Sequence, residues 1–254
     1  PPSDEPALEA MFRRERDILA SLEHPGIARL LDGGRLAGGM LWFAMELVEG
    51  ARIDVHARQG HLDVPARLAL LRQAIDAVAF AHERLLLHRD IKPGNVLVDA
   101  DGGIKLLDFG IAALIGDDEA ARAYSPGWAS PEQLAGGDVG PASDQYQLGL
   151  LLDALLRDDT VTTTPDAATA SEPTALQPAT VTSRHVAPER WLAMPAARRA
   201  ELHAIVARAT AFEPGARYGS VAELGAELDR WLQRRPVAAH GGGLGYTLRC
   251  AIRR

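Results

Sequence analysis

His-Arg-Asp-Ile-Lys-Pro-Gly-Asn occupies residues 88–95, and Asp-Phe-Gly follows at residues 108–110. Transfer of a phosphoryl group needs a carboxylate that accepts the proton of the attacking hydroxyl and a cation near the migrating group. It also needs oxygen donors that hold Mg²⁺ on the nucleotide phosphates. The two segments offer such groups in Asp90, Lys92, Asn95 and Asp108. This spacing therefore favours a phosphotransfer site.

The residues around this stretch predict a helix before it and a strand hairpin after it. A helix is expected from Pro65 to about Leu86, because proline suits the first turn and apolar residues recur at helical spacing. The residues of this face are Leu68, Leu71, Ile75, Val78, Ala79 and His82. Short strands are expected at 96–98 and 104–107, with a turn at Asp101-Gly102-Gly103 between them.

The first part of the chain predicts one helix and one hairpin. Apolar residues between 7 and 22 fall on one face of a helix, which His24-Pro25-Gly26 ends. Residues 27–31 and 40–45 are predicted to be strands, and the glycines between 33 and 39 are predicted to form the turn that joins them.

Beyond residue 143 the pattern predicts helices. Ser143 is expected to cap a helix with leucines at helical spacing, and further helices are expected at 197–210 and 220–234. Residues 158–187 are rich in Thr, Ala, Ser and Pro and have no periodicity, which is typical of a flexible loop.

Composition excludes several other classes of protein. The chain has 254 residues, a formal net charge of −7 and no run of basic residues, so nucleic-acid binding is not expected. Apolar stretches are too short to span a bilayer and no signal-peptide pattern is present, which favours a cytoplasmic location. A lone cysteine, Cys250, allows no internal disulfide.

The motif at 88–95, with its Asn five residues after the Asp, and the Asp-Phe-Gly at 108–110 resemble those of eukaryotic-type (Hanks-type) bacterial serine/threonine protein kinases. The resemblance implies an α+β, two-lobed fold with a mainly helical C-lobe. It further implies transfer of the γ-phosphoryl of ATP to Ser or Thr hydroxyls of a protein substrate, with Mg²⁺ as cofactor and a role in signalling. Lys92, two residues after Asp90, matches the serine/threonine rather than the tyrosine version.

The resemblance also implies a role for each residue of the site. Asp90 would position and deprotonate the hydroxyl, Lys92 would offset charge on the migrating group, and Asn95 and Asp108 would bind Mg²⁺. Ser125 would occupy the substrate-facing position of the segment after Asp-Phe-Gly.

Nucleotide-binding residues are implied in the same way. Phe12-Arg13-Arg14-Glu15 matches the helix that places a glutamate against a strand lysine, which nominates Glu15. Met45 would be the gatekeeper, Glu46 and Val48 would bind adenine through their backbones, and Leu97 would lie under the adenine ring. Lys105 is expected to lie on the surface.

Other matches have structural roles in the family. Leu19, Leu30, His88 and Phe109 would stack as a spine between the lobes. Glu132 of Ser130-Pro131-Glu132 would pair with Arg217, and Asp144 would brace the backbone of the catalytic loop.

The match is incomplete at its start. Lysine occurs only at positions 92 and 105, so neither the strand lysine nor the Gly-rich phosphate loop precedes Glu15. We expect a kinase domain whose first strands are missing by truncation, and this chain by itself to be inactive. Alternatives are a pseudokinase or scaffold that only binds partners, and a small-molecule phosphotransferase.

The expected domains are a partial N-lobe at 1–48, a C-lobe at 49–236 with the loop at 158–187, and a tail at 237–254. The arginines of this tail resemble those at the juxtamembrane end of bacterial kinases, which would place a membrane span beyond Arg254 in the full protein.

Overall fold

The structure is a computed structural model that describes residues 20, 22–36, 41–109, 124–157 and 194–241. Glu15 and the helix predicted around it lie outside the described residues. So do Leu19, the loop predicted at 158–187 and Cys250.

Short strands come first in the described part and helices dominate after residue 124. The elements are β1 (Leu30–Arg35), β2 (Leu41–Met45), β3 (Ala51–Arg52), α1 (Ile53–Gln59), α2 (Val64–His82), β4 (Val96–Val98), β5 (Ile104–Leu106), α3 (Pro131–Leu134), α4 (Pro141–Leu156), α5 (Ala196–Ala209) and α6 (Val221–Leu232), with 3₁₀ turns at Pro93–Asn95, Pro214–Ala216 and Ala238–His240. The predicted α+β class is confirmed.

The first sheet corrects the predicted hairpin. Strand β1 begins at Leu30 rather than residue 27, and it includes Gly33 and Gly34, which pair with Phe43 and Trp42 of antiparallel β2. These glycines were predicted to form the turn, but they lie in the strand because the large aromatic side chains of β2 cover them. A Cβ atom on Gly34 would lie 2.9 Å from the Trp42 indole nitrogen.

A second antiparallel sheet has the order β3-β4-β5. Ile27, predicted to be in the first hairpin, instead bridges Leu106 of β5 in parallel. The backbone N–H of Ala28 donates to the Leu106 carbonyl at 2.9 Å, and the Leu106 N–H donates to the Gly26 carbonyl at 2.9 Å. The chain before β1 is thereby attached to the sheet that leads to Asp108.

Helix α2 forms the centre of the core. The Asp63 carboxylate caps it by accepting the Ala66 N–H at 2.9 Å, and Pro65 lies in its first turn. Most of the predicted apolar face is confirmed, since Leu68, Leu71 and Ile75 are fully buried, but the helix ends at His82 rather than near Leu86. Helices α4 and α6 and strand β5 pack around α2.

Helix α4 begins one turn earlier than predicted. It starts at Pro141 after the N-cap Gly140, so Ser143 lies inside the first turn and is not the cap. The Ser143 hydroxyl accepts the Gly140 N–H at 3.3 Å and donates to the Glu132 carboxylate at 2.7 Å. In the described part of the chain, no helix is long and apolar enough to cross a bilayer.

Candidate active site

Residues 88–95 connect α2 to β4, and Asp144 in the first turn of α4 holds their backbone. Its two carboxylate oxygens accept the N–H groups of His88 at 2.8 Å and Arg89 at 2.7 Å. The His82 ring nitrogen Nε2 lies 2.8 Å from the same carboxylate, which is fully buried. Asp144 therefore braces this loop as the sequence predicted.

Asp90 lies at the centre of a small polar cluster. Its carboxylate is 2.9 Å from the Lys92 ammonium nitrogen and accepts the backbone N–H of Ser125 at 3.0 Å. The same Lys92 nitrogen donates to the Ser125 hydroxyl at 2.6 Å. The structure thus brings together a carboxylate, an ammonium group and a hydroxyl, with Asp90 and Lys92 both partly open to solvent.

Asn95 joins this cluster from the 3₁₀ turn Pro93–Asn95. Its amide nitrogen donates to the Asp90 carbonyl at 2.8 Å and to the Asp90 carboxylate at 3.2 Å. Both amide hydrogens are thereby used, and the amide oxygen accepts no hydrogen bond from the described residues. This oxygen is consequently available to a cation.

Asp108 reaches the same region through β5. The Leu107 N–H donates to the Asn95 carbonyl at 2.9 Å, which places the residue before Asp108 against the turn that carries Asn95. The Phe109 ring packs against the His88 ring in a tilted arrangement with centroids 4.8 Å apart, so the predicted contact between these two spine residues is confirmed. The Asp108 side chain is exposed and has no hydrogen bond or ion pair within the described part.

These two residues fit a magnesium ion. Mg²⁺ prefers oxygen ligands, and protein sites often provide one or two of them while nucleotide phosphates and water supply the rest. The amide oxygen of Asn95 and the carboxylate of Asp108, neither of which has a partner in the described part of the chain, have the required chemistry.

Residues predicted to contact adenine lie at the end of β2, in the segment after it and on β4. Met45 ends that strand and pairs with Leu30, and the segment 46–50 leads to β3, where Arg52 pairs with Leu97 of β4. The Glu46 N–H donates to the Arg29 carbonyl at 2.9 Å, whereas Val48 donates no hydrogen bond within the described residues.

Lys105 differs from its predicted surface role. It forms an ion pair with Glu46 and only 22% of its side chain is exposed. The hydrogen bond from Lys105 lowers the pKa of Glu46 despite partial burial of the carboxyl. Lys105 therefore ties β5 to the segment that follows β2.

The predicted ion pair between Glu132 and Arg217 is confirmed. The guanidinium donates to both Glu132 oxygens at 2.8 Å, and it also donates to the carbonyls of Ala142, Ala211 and Phe212. Burial by itself would raise the pKa of Glu132, but hydrogen bonds from Arg217 and Ser143 lower it to about 2. This bidentate pair fixes α3 to α4 and to the segment after α5.

Sequence reasoning missed two buried glutamines beside the loop, Gln133 and Gln147. Both donate to the Arg89 carbonyl, and Gln147 also accepts the Ile91 N–H. One signal could have revealed Gln147, because it lies three residues after Asp144 and one before Leu148, on the apolar face of α4. A polar residue on such a face is buried and needs partners.

Comparison with known proteins identifies the class. The family described as "Protein kinase domain" matches residues 2–220, which is most of the chain. The chain therefore belongs to the protein kinase family, and the predicted two-lobed kinase fold class is confirmed.

Its relatives include named bacterial enzymes. The chain is 32% identical over 251 residues to "Serine/threonine-protein kinase PknB" of Mycobacterium leprae, and the aligned region covers 92% of this chain and 38% of that protein. It is 38% identical over 161 residues to "Serine/threonine-protein kinase PknA" of Mycobacterium tuberculosis, covering 59% of this chain and 37% of that protein. The resemblance to bacterial serine/threonine kinases is confirmed, and the chain spans less than half the length of these relatives.

Proposed function

We propose that this chain is the catalytic region of a serine/threonine protein kinase that transfers the γ-phosphoryl group of ATP to protein hydroxyls. The observation that carries the proposal is the cluster of Asp90, Lys92, Asn95 and Ser125. The Asp90 carboxylate and the Lys92 ammonium group lie together beside the segment that begins at residue 124, which supports their proposed roles in this reaction. Family membership supports the same reaction class.

Asp90 would accept the proton of the attacking hydroxyl. Its carboxylate now accepts the Ser125 N–H and one hydrogen bond from the Asn95 amide, so its orientation is set before a substrate binds. Lys92 would shift from Asp90 and Ser125 towards the migrating phosphoryl group, whose negative charge its ammonium group offsets. Positioning and charge stabilisation are the main contributions that a protein makes to this reaction.

Asn95 and Asp108 would hold Mg²⁺ through the amide oxygen and the carboxylate. When bound, the ion neutralises charge on the nucleotide phosphates. Met45, Glu46, Val48 and Leu97 would surround the adenine, as the family pattern implies. The backbone N–H of Val48 has no acceptor among the described residues, and this supports the role, because the group can donate to a nucleotide base.

The N-terminal part of the nucleotide site is proposed from sequence alone. Glu15 would face a lysine, yet both lysines of this chain have other partners, since Lys92 contacts Asp90 and Lys105 contacts Glu46. This observation favours the second candidate function, a scaffold that binds partners without phosphate transfer. We assign the lobes to residues 1–48 and 49–236, with a tail at 237–254, and the reaction to the cytoplasm, where ATP is abundant.

The test is Mg²⁺-dependent transfer of label from γ-labelled ATP to a Ser/Thr-containing acceptor protein, with this chain and with the full-length product of its gene. We expect label on serine or threonine, and little or no transfer by this chain alone. Absence of transfer by the full-length product would contradict the proposal and favour the scaffold.

Asp108→Asn provides a sharper version of this test. The substitution keeps the shape of the side chain but removes the charge that attracts Mg²⁺, so we expect transfer to fall by about 100-fold, in the range typical of single groups in such sites. Asp101→Asn is the matched control, because Asp101 is an exposed turn residue and its loss should leave transfer unchanged. Equal activity of the two variants would remove Asp108 from the site.

A further inference from the structure

Two buried glutamines from different helices meet behind the catalytic loop. Gln133 of α3 is 5% exposed and Gln147 of α4 is fully buried. The Gln147 amide nitrogen donates to the Gln133 amide oxygen at 3.0 Å. Both nitrogens also donate to the Arg89 carbonyl, at 2.7 Å from Gln133 and 2.8 Å from Gln147. We call these two residues the glutamine pair.

Gln147 contacts the backbone on both sides of Asp90. Its amide nitrogen binds the Arg89 carbonyl, and its amide oxygen accepts the Ile91 N–H at 2.7 Å. An amide side chain can do this because it carries a donor and an acceptor, whereas an ionised carboxylate only accepts. The peptide groups before and after Asp90 are thereby fixed by one buried side chain.

These bonds act on a strained stretch of backbone. Arg89 has φ of 71°, in the left-handed region that costs a residue with a Cβ atom about 1–2 kcal/mol. Asp144 already holds the N–H of Arg89, and the glutamine pair holds its carbonyl. Several buried hydrogen bonds therefore hold this strained conformation, as is usual where strain persists at a functional site.

The pair also connects the loop to the segment that carries Ser125. Gln133 belongs to a capping box, in which its amide oxygen accepts the Ser130 N–H at 2.9 Å. Ser130 lies five residues after Ser125 in the same segment. The backbone N–H of Ser125 donates to the Asp90 carboxylate. The two walls of the site, residues 88–95 and 125–130, share one hydrogen-bond network.

We infer that Gln147, supported by Gln133, is a positioning residue that sets the orientation of Asp90 towards a substrate hydroxyl. The inference rests on the proposed kinase function. Among the described residues, Gln147 makes no hydrogen bond to the Asp90 carboxylate, and it would act on Asp90 through the backbone groups of Arg89 and Ile91. Its loss should therefore slow the chemical step more than it weakens nucleotide binding.

Gln145 is a matched control on the same helix. It is 1% exposed and likewise bridges a donor and an acceptor of the backbone, at Tyr218, with distances of 2.8 Å and 3.1 Å. Its partner, Tyr218, lies beyond α5 in sequence and is not part of residues 88–95. Gln145→Leu removes two buried hydrogen bonds to a backbone and Gln147→Leu removes two of the same kind plus the bond to Gln133, but only the second substitution removes bonds beside Asp90.

The experiment measures kcat and KM for ATP in the full-length gene product carrying either substitution, together with its melting temperature. We expect Gln147→Leu to lower kcat by about 10- to 100-fold, the size that follows a small misplacement of a reacting group, with KM changed by less than about 2-fold. Gln145→Leu should lower the melting temperature by a similar amount and leave kcat within about 2-fold of wild type. Equal losses of kcat, or none, would overturn the inference.

Amide hydrogen exchange gives a readout that does not depend on activity. In Gln147→Leu the Ile91 N–H loses its acceptor, so residues 88–92 should exchange faster than in wild type and in Gln145→Leu. Unchanged exchange there would overturn the inference even if the chain transfers no phosphate. Absence of transfer by the wild-type protein together with faster exchange in Gln147→Leu would instead contradict the proposed function and leave the positioning of the loop supported.

Discussion

Leu85 and Arg89 lie four residues apart in the connection between α2 and β4, and both have left-handed backbones. Their φ angles are 62° and 71°. Arg89 has its N–H bound by Asp144 and its carbonyl bound by the glutamine pair, all from buried side chains. Leu85 is 92% exposed. The same conformation is thus fixed by the core at one residue and only locally at the other.

The local bonds at Leu85 belong to the end of α2. The Leu85 N–H donates to the His82 carbonyl and the Leu86 N–H donates to the Ala81 carbonyl, each at 3.0 Å. This arrangement is a Schellman motif, whose left-handed position is usually glycine. The left-handed backbone of Arg89 is therefore held by buried side chains beside Asp90, whereas that of Leu85 is held only by backbone bonds at the end of α2.

The largest expected effect on stability is at Asp144, one of the buried side chains that hold the backbone of Arg89. Asp144→Asn replaces one acceptor oxygen with a donor, and it leaves at least one of the N–H groups of His88 and Arg89 without a partner in a fully buried place. We expect the free energy of unfolding to fall by about 3 kcal/mol, in urea denaturation. Phosphate transfer should also be lost, because the loop is no longer held.

Asp153→Asn is the control for this prediction. Asp153 lies on the same helix, but it is partly exposed and its ion pair with Arg157 spans one helical turn. Such pairs contribute only about 0.3–0.5 kcal/mol. Equal denaturation midpoints for the two variants would contradict the account of Asp144.

The next largest effect on stability is expected at the ion pair between Glu132 of α3 and Arg217. Glu132 and Arg217 hold the helix that carries Gln133, so Glu132→Gln should lower the free energy of unfolding near pH 7 by about 2 kcal/mol, as expected for hydrogen bonds to a charged group. Because the pKa of Glu132 is lowered from 4.5 to about 2, its stabilisation is complete above about pH 4.5 and is lost as the pH falls towards 2. Denaturation from pH 7 to 2 should therefore show a smaller decline for Glu132→Gln than for wild type. Parallel curves would contradict this assignment.

The smallest expected effect on stability is at Leu85, whose backbone is held only by local hydrogen bonds. Leu85→Gly removes a Cβ atom from a left-handed residue, which relieves strain, but glycine also has more conformational freedom in the unfolded chain, which opposes folding. The net effect should be a rise in the free energy of unfolding of about 0.5–1 kcal/mol. Leu85→Ala keeps the Cβ atom and should give no such gain. A gain of equal size for both would show that exposure of the leucine, and not its backbone, lowers stability.

Much of the site could be predicted from sequence because its chemical groups lie close together in the chain. Asp90, Lys92 and Asn95 lie within one short stretch, and the structure brings their side chains together. Asp144 and the Glu132–Arg217 pair were found by their motifs, and the helices around residues 64–82 and 221–232 followed from their apolar faces.

The remainder depends on contacts between distant segments. Gly33 and Gly34 were wrongly predicted as a turn, because only pairing with Phe43 and Trp42 makes a glycine dipeptide suitable for a strand. The roles of Gln133 and Gln147 require α3 and α4 to meet at one carbonyl, which no local pattern specifies. Lys105 was assigned to the surface, and its ion pair with Glu46 was missed because the two residues are far apart in the chain.

The most direct test of the account is phosphate transfer by Asp90→Asn in the full-length gene product, with Asp101→Asn as the control for a lost surface charge. Asparagine preserves the shape of the side chain but cannot accept the proton, so transfer to serine and threonine should fall by about 10²- to 10⁴-fold while the protein remains folded. Asp101→Asn should keep wild-type activity. Wild-type transfer by Asp90→Asn would contradict the assignment of the catalytic base and, with it, the central claim.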